Sequence, residues 1–158
     1  MQEIRQYVSA DLDQMVALDD ECFAEEFRFS HPMMKRFAEA RNALTLVLDS
    51  EDGGLLGFII VHIEGGPDGG LGYVVTLDVA AAARRHGVAA RLIHEAERRA
   101  EVKGALRMML HVFVQNEPAI RFYEQRGYRM IGLEPEFYGG TGMDAYLYSK
   151  SIQGETAP

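Results

Sequence analysis

Arg84-Arg85-His86-Gly87-Val88-Ala89 places two guanidinium groups, an imidazole and a glycine just ahead of an apolar-periodic run. A strand, a short turn and a glycine-containing helix start form a recurrent phosphate site. The first backbone N–H groups of such a helix lack internal partners and carry the positive end of its dipole. Gly87 permits close approach, small Ala89 and Ala90 keep the helix end open, and Arg84 and Arg85 add charge-assisted bonds with His86 beside them. The plain alternative is an exposed basic helix start, which is electrostatically odd because cations there oppose the dipole. No Gly-x-x-x-x-Gly-Lys-Ser/Thr occurs, which argues against a P-loop nucleotidase, and the glycines at 65–72 precede a strand, a poor dinucleotide fingerprint. Spacing alone gives an anion cradle whose ligand stays open.

The elements that must hold this turn follow from periodicity. Glu3 to Val8 reads as a first strand ending at a Ser9-Ala10-Asp11 helix start, after which Leu12, Met15, Val16, Cys22 and Phe23 make a helical stripe. Phe27-Arg28-Phe29 is an aromatic loop. Ser30 with Pro32 opens a second helix running to about Asn42, with Met33, Met34 and Phe37 buried. Leu44 to Leu48 and Leu55 to Ile63 are strands joined by Asp52-Gly53-Gly54. Gly65 to Gly70 reads as a mobile loop and Leu71 to Val79 as the next strand. The helix after the Arg84 turn puts Val88, Leu92, Ile93 and Ala96 inside, with Arg98, Arg99 and Glu101 outside, and Gly104 ends it. Leu106 to Val114 is a strand, Asn116 caps a short helix through Gln125, and Gly127 stops that helix. Tyr128 to Leu133 pairs with about Met143 to Ser149, and 153–158 is a disordered tail. Strands and helices sharing one core predict an α+β domain with a mainly antiparallel sheet.

Bulk numbers bound the function. The 158 residues fit one domain, read as 1–152, and 47% hydrophobic content suffices for a core. A net charge of -8 argues against a general nucleic-acid binder. Cys22 is the only cysteine, so no intrachain disulfide forms; it reads as buried core. With no His-Glu-x-x-His, no metal is expected. The start lacks the apolar core of a signal peptide, and no apolar stretch approaches the roughly 18 residues that cross a membrane. The expectation is a soluble cytoplasmic protein with no membrane or nucleic-acid partner.

Leu77-Asp78-Val79, then Arg84-x-x-Gly87-x-Ala89 and Ala90-Arg91-Leu92-Ile93, resembles motif A of the GNAT acetyltransferases. Asn116-x-x-Ala119-x-x-Phe122-Tyr123-x-x-x-Gly127-Tyr128 resembles motif B of the same family. The pair in order is specific, and the resemblance covers nearly the whole chain. It implies a GNAT fold, a mixed and mostly antiparallel central sheet with a parallel splayed strand pair, Leu71–Val79 and Leu106–Val114, flanked by about four helices. It also implies acetyl-CoA as co-substrate and no metal. The pantetheine arm would pair with backbone along Leu77, Asp78 and Val79. The pyrophosphate would lie on Arg84, Arg85, His86, Gly87, Val88, Ala89 and Ala90, with Asn116 and Tyr123 completing the coenzyme site. The Val79 N–H would face the thioester carbonyl, and Tyr123 would be the general acid toward the coenzyme sulfur. From residue type alone, the alternative for Tyr123 is a core tyrosine packing beneath the coenzyme, and the safer role for Asn116 is a helix cap. The family's usual proline is absent from Ala80–Ala83, and Ala89 replaces the commoner second glycine.

Strand alternation places Tyr73, Val75 and Leu77 on one face, and His111 and Phe113 likewise on one face. A strand histidine among apolar residues is more often a satisfied core group. With the two strands adjacent, though, Tyr73 and His111 meet beside the thioester and can hold a water. A histidine with a reference pKa of about 6.5 matches an α-amine at about 7.7–8.0 better than a lysine at about 10.4. Tyr73-Val74-Val75-Thr76-Leu77 and Leu110-His111-Val112 resemble the catalytic strands of NatE-type N-terminal acetyltransferases. Phe137-Tyr138 and Asp144-Ala145-Tyr146 are similar to segments of N-terminal acetyltransferases that include the ribosomal-protein alanine type. The bacterial ribosomal-protein enzymes usually carry Glu where this chain has His111. The resemblance makes Tyr73, His111 and Tyr123 the catalytic candidates, and Phe27, Phe29 and Tyr138 the lining of a peptide groove. The acceptor is then a protein or peptide N-terminus. A small-molecule amine and a non-catalytic acyl-CoA-binding module remain alternatives, and the protein is a monomer or homodimer.

Overall fold

The chain buries its longest apolar runs in the middle of one sheet, and that placement sets the layers on either side. A computed structural model describes residues 2–65, 69–139 and 142–153. Part of the expected loop at 65–70, and all of the expected tail except Gln153, lie outside the described residues. The strands are β1 (Ile4–Gln6), β2 (Ala43–Asp49), β3 (Leu55–Glu64), β4 (Gly70–Val79), β5 (Ala105–Phe113), β6 (Arg129–Glu134) and β7 (Ala145–Ser151). The helices are α1 (Leu12–Cys22), α2 (His31–Ala38), α3 (Val88–Val102) and α4 (Glu117–Gln125). The sheet order is β1-β2-β3-β4-β5-β7-β6, and every pairing is antiparallel except β4 with β5. The expected mixed sheet with one parallel pair and four helices is what the chain forms.

Alternation along β2 and β3 sends side chains to two layers, as a sheet covered on both faces requires. Leu46, Leu48, Ile59 and Val61 meet Leu92, Ile93, Ala96 and Ala100 of α3, together with Tyr123 of α4. Val47, Phe58 and Ile60 meet Leu12, Met15 and Leu18 of α1, and Met34 and Ala38 of α2. Gly57 is the close-packed point between β3, β4 and α3. A Cβ there would lie 2.7 Å from the Asp78 carbonyl oxygen and 3.1 Å from Leu92 Cδ1.

Several sequence expectations change. The second helix ends at Ala38 rather than near Asn42, because the Thr45 hydroxyl of β2 donates to the Ala38 carbonyl (2.9 Å) and the Asn42 amide donates to Ile63 O (3.2 Å). Met33 is exposed on α2, while Met34 carries the burial. On α1 the stripe includes Leu18 and the buried Asp19, neither of which the spacing had singled out. Among the described residues, no helix is long and apolar enough to cross a membrane.

Candidate active site

β4 and β5 pair from Gly70 and Ala105 up to Val74 and Leu110, and no pairing follows beyond that point. A cause lies on the other edge of β4. Ile60 faces Thr76 while Val61 faces Val74, so Val75 is an extra residue in β4. A bulge of this kind bends its strand and steepens the twist, directing the following residues away from the old neighbour. It also resets the alternation. Val75 packs toward α1 and α2, whereas Leu77 and Val79 pack toward α3. The expectation that Tyr73, Val75 and Leu77 share one face is therefore corrected, since one inserted residue moves everything after it to the opposite face.

The backbone at the gap is oriented by the same register. Ala80 N–H donates to Leu56 O (2.8 Å), which makes Gly57 and Val79 a non-hydrogen-bonded pair. Val79 and Leu77 consequently turn their N–H and C=O groups away from β3 and into the gap. The Val79 carbonyl accepts from the Cys22 thiol (3.2 Å) and from Arg84 Nε (3.3 Å). Burial, followed by the charge of Asp78, pushes the Cys22 thiol up, so it is no thiolate nucleophile.

At the C-terminal end of β4, Gly87 is the residue before α3 and has φ +77. The first helical bond there runs from Arg91 N–H to Gly87 O (3.0 Å), leaving the N–H groups of Val88, Ala89 and Ala90 without partners inside the helix. A Cβ on Gly87 would meet nothing within 4 Å. These groups border a cavity of about 460 Å³, lined also by Val79, Arg84 and Arg85, by Pro118, Arg121, Phe122 and Gln125 of α4, and by Arg126 just past its end. His86 and Asn116 are not among its lining residues; Asn116 Oδ1 instead caps α4 by accepting from Ala119 N–H (3.2 Å). Sequence reasoning missed Arg121 and Arg126. The signal was there, because positions 118, 121, 122 and 125 share one face of a helix. Arg126 lies over the Phe122 ring at 4.0 Å, and its buried Nε has no hydrogen-bond partner among the described residues.

On the α1 and α2 side of the sheet, Tyr73 Oη and His111 Nδ1 are 2.6 Å apart. The pair meets directly. His111 Nε2 is 2.9 Å from Glu134 Oε1 on β6, and Phe137 stacks on the imidazole at 4.0 Å and 15°. Beside them Phe27, Phe113 and Tyr138 form an aromatic cluster with ring centroids 4.8 to 6.1 Å apart. Phe29 is not brought to this cluster. Its ring packs against Phe37 (5.1 Å), and its N–H donates to Asp19 Oδ2 (2.8 Å). Burial holds the Tyr73 phenol above its ordinary range and pushes Tyr138 up to about 12.

Tyr123 projects from α4 into the core on the α3 side, against Phe122 and Tyr128, and is not among the residues that line the cavity. Burial first, and the charge of Asp78 second, raise its phenol, so Tyr123 carries its proton at neutral pH. Asp78 and Asp19 are each 1% exposed. Asp78 Oδ1 accepts from the Thr76 hydroxyl (2.5 Å), while Asp78 Oδ2 and Asp19 Oδ1 lack other partners. Burial raises both acids; the facing Asp19 carboxyl raises Asp78 further, while the hydrogen bond with Asp78 lowers Asp19, so the pair holds a proton and Asp78 is its carrier. Among the described residues, no group of three or more His, Cys, Asp or Glu is placed to bind a metal ion.

The family model for the acetyltransferase (GNAT) family matches residues 12–128. N-alpha-acetyltransferase 60 of Drosophila melanogaster is 31% identical over 93 residues, covering 56% of this chain and 34% of that protein. The chain spans 21% and 34% of the length of the first two curated relatives it matches. Arabidopsis thaliana NAA60, solved with a bisubstrate analogue, superposes with a TM-score of 0.84 at 23% identity, covering 98% of this chain and 99% of that one. A nourseothricin acetyltransferase superposes with a TM-score of 0.76 at 27% identity, covering 95% and 98%. At such identities these superpositions speak to the fold.

Proposed function

The chain belongs to the acetyltransferase (GNAT) family, and on that premise we propose that residues 1–152 transfer an acetyl group from acetyl-CoA to the N-terminal α-amine of a protein or peptide. One observation carries the reading. The gap between β4 and β5 has two unlike groups on its two faces, a cationic helix-start cavity toward α3 and α4 and, on the opposite face, an aromatic cluster beside a hydrogen-bonded Tyr73–His111 pair.

The donor side fits the coenzyme. Unpartnered N–H groups at Val88, Ala89 and Ala90, with Arg84, Arg85, Arg121 and Arg126 around them, suit a pyrophosphate with a further phosphate. Leu77 and Val79 turn backbone donors and acceptors into the gap, where a pantetheine amide can pair, and the Val79 N–H is available to a carbonyl oxygen. Acetyl-CoA supplies an acetyl group activated as a thioester. The amine nitrogen bonds to its carbonyl carbon, the carbon–sulfur bond breaks, and the departing sulfur takes the Tyr123 proton. Tyr73 and His111 accept the proton that leaves the amine.

The acceptor side is apolar and walled by Phe27, Phe113 and Tyr138, which suits a first side chain of apolar character. The fly relative is named an N-alpha-acetyltransferase, which supports the α-amine. The nourseothricin enzyme keeps a second reading alive, in which the acceptor is a small-molecule amine. An array of short peptides varied at the first residue, set beside free amines, separates the two when coenzyme A release is monitored. Turnover on peptides with an apolar first residue is expected. Turnover on free amines alone would overturn the α-amine reading in favour of the second.

A further inference from the structure

We infer that Glu134 is a positioning residue for the proposed base, fixing the histidine tautomer so that Tyr73 becomes the atom facing the amine. The inference rests on the acetyl-transfer reading above.

A carboxylate accepts hydrogen bonds and donates none. The 2.9 Å contact of His111 Nε2 with Glu134 Oε1 therefore puts the neutral imidazole's proton on Nε2. Nδ1 is left as the acceptor, and the 2.6 Å contact makes Tyr73 O–H its donor. Stacking by Phe137 at 4.0 Å holds the ring in that plane. The Tyr73 hydroxyl hydrogen is thus aimed at His111, and its oxygen lone pairs remain for an incoming N–H. Burial keeps Tyr73 protonated, so it relays a proton and does not begin as a phenolate. The proton leaving the amine moves to Tyr73 Oη as the phenolic proton moves to His111 Nδ1. Glu134 then faces an imidazolium, whose positive charge its carboxylate stabilises. Nothing is oxidised or reduced, and the imidazolium returns its proton to solvent after product leaves. Glu134 is half-exposed, so its effect is smaller than that of a buried triad acid. The other charged or phenolic groups acting on Tyr73 are Tyr138 and Glu64, and neither is among the hydrogen-bond partners of His111.

Two variants and two measurements test this. Glu134→Gln keeps an acceptor and removes the charge; Glu134→Met removes both. Long-range ¹H–¹⁵N correlation of the imidazole reads the tautomer without any turnover. The wild type is expected to hold the proton on Nε2, and Glu134→Met to lose that preference. In pH profiles of kcat/KM on the best peptide, Glu134→Gln is expected to lower the plateau about tenfold. Its acidic limb should move to lower pH, with KM unchanged. A purely structural role would lower the plateau and leave the limb in place, which overturns the inference. So does an Nε2–H tautomer that survives in Glu134→Met. Should no amine be acetylated by the wild type, the function reading falls on that result, and the NMR measurement still decides whether Glu134 sets the tautomer.

Discussion

Replacing Gly87 separates the charge of the helix-start site from its backbone. Gly87 has φ +77, so any side chain there costs about 1–2 kcal/mol of left-handed strain, least for Asn and Asp. A Cβ meets nothing within 4 Å, so no steric clash is added. Gly87→Asn and Gly87→Asp are nearly isosteric and differ by one negative charge beside the unpartnered N–H groups of Val88 to Ala90. A carboxylate about 6 Å from one phosphate charge is repelled by about 0.7 kcal/mol in water and about 2.8 kcal/mol at an effective dielectric of about 20. A middle value of about 1.4 kcal/mol is roughly tenfold in Kd. Titration calorimetry with coenzyme A should give the Asp variant a Kd about tenfold weaker than the Asn variant, with a larger gap at low salt. The two variants should melt within a few degrees of each other. Equal affinities in two folded variants would refute the anion site.

Tyr123→Phe should lower kcat by about a hundredfold or more while leaving coenzyme A affinity in place, because only the proton toward sulfur is lost; an unchanged kcat in peptide assays assigns Tyr123 to packing alone. Asp78 carries the buried acid pair's raised pKa, so between about pH 4 and that raised value the folded state binds more protons than the unfolded chain. Stability must then fall as pH rises through that window, by at most about 1.4 kcal/mol per pH unit for one proton. Asp78→Asn should flatten the fall in urea-melt stability above pH 4, and an unchanged slope would refute the shared proton.

Much of this was legible in the sequence, and the exceptions have physical reasons. The α3 stripe and its glycine boundaries came from periodicity, and the Asn116 cap came from its side-chain chemistry. The bulge did not, because Val75 in a Tyr-Val-Val-Thr-Leu run looks like any other strand residue. Only the pairing with β3 reveals that one position is extra. Buried Asp19 and Glu97 were equally hidden. Each lies on an otherwise apolar helix face, and its partners are distant in sequence. Glu97 accepts from the Tyr128 hydroxyl (2.8 Å) and from Lys150 (2.9 Å). Glu134 was missed because β6 lies two strands away from β5, with β7 between them, so nothing in the spacing brings its side chain to His111. Conversely, His86 carries a promising type and position but does not line the cavity, because the turn's left-handed Arg85 and Gly87 decide which side chains face inward.

The bulge ties these parts into one device. A thioester donor and an amine acceptor must meet head-on while each is held by its own chemistry, one by phosphate-binding N–H groups and the other by apolar walls. A continuous sheet would separate the two sites with a wall of hydrogen-bonded backbone. The extra Val75 releases the strand pair after Val74 and Leu110, which opens the wall where Tyr73 and His111 touch. The same insertion leaves Leu77 and Val79 packing toward α3, the proposed donor side, while Tyr73 reaches His111 on the other face, the proposed acceptor side. Breaking the sheet exposes backbone that must find other partners. Cys22 and Arg84 supply two of them at the Val79 carbonyl, leaving the N–H groups that turn into the gap for a ligand. On the proposed reading the cationic turn is half of a site whose other half lies through the sheet, and the register of β4 against β3 brings the two halves together.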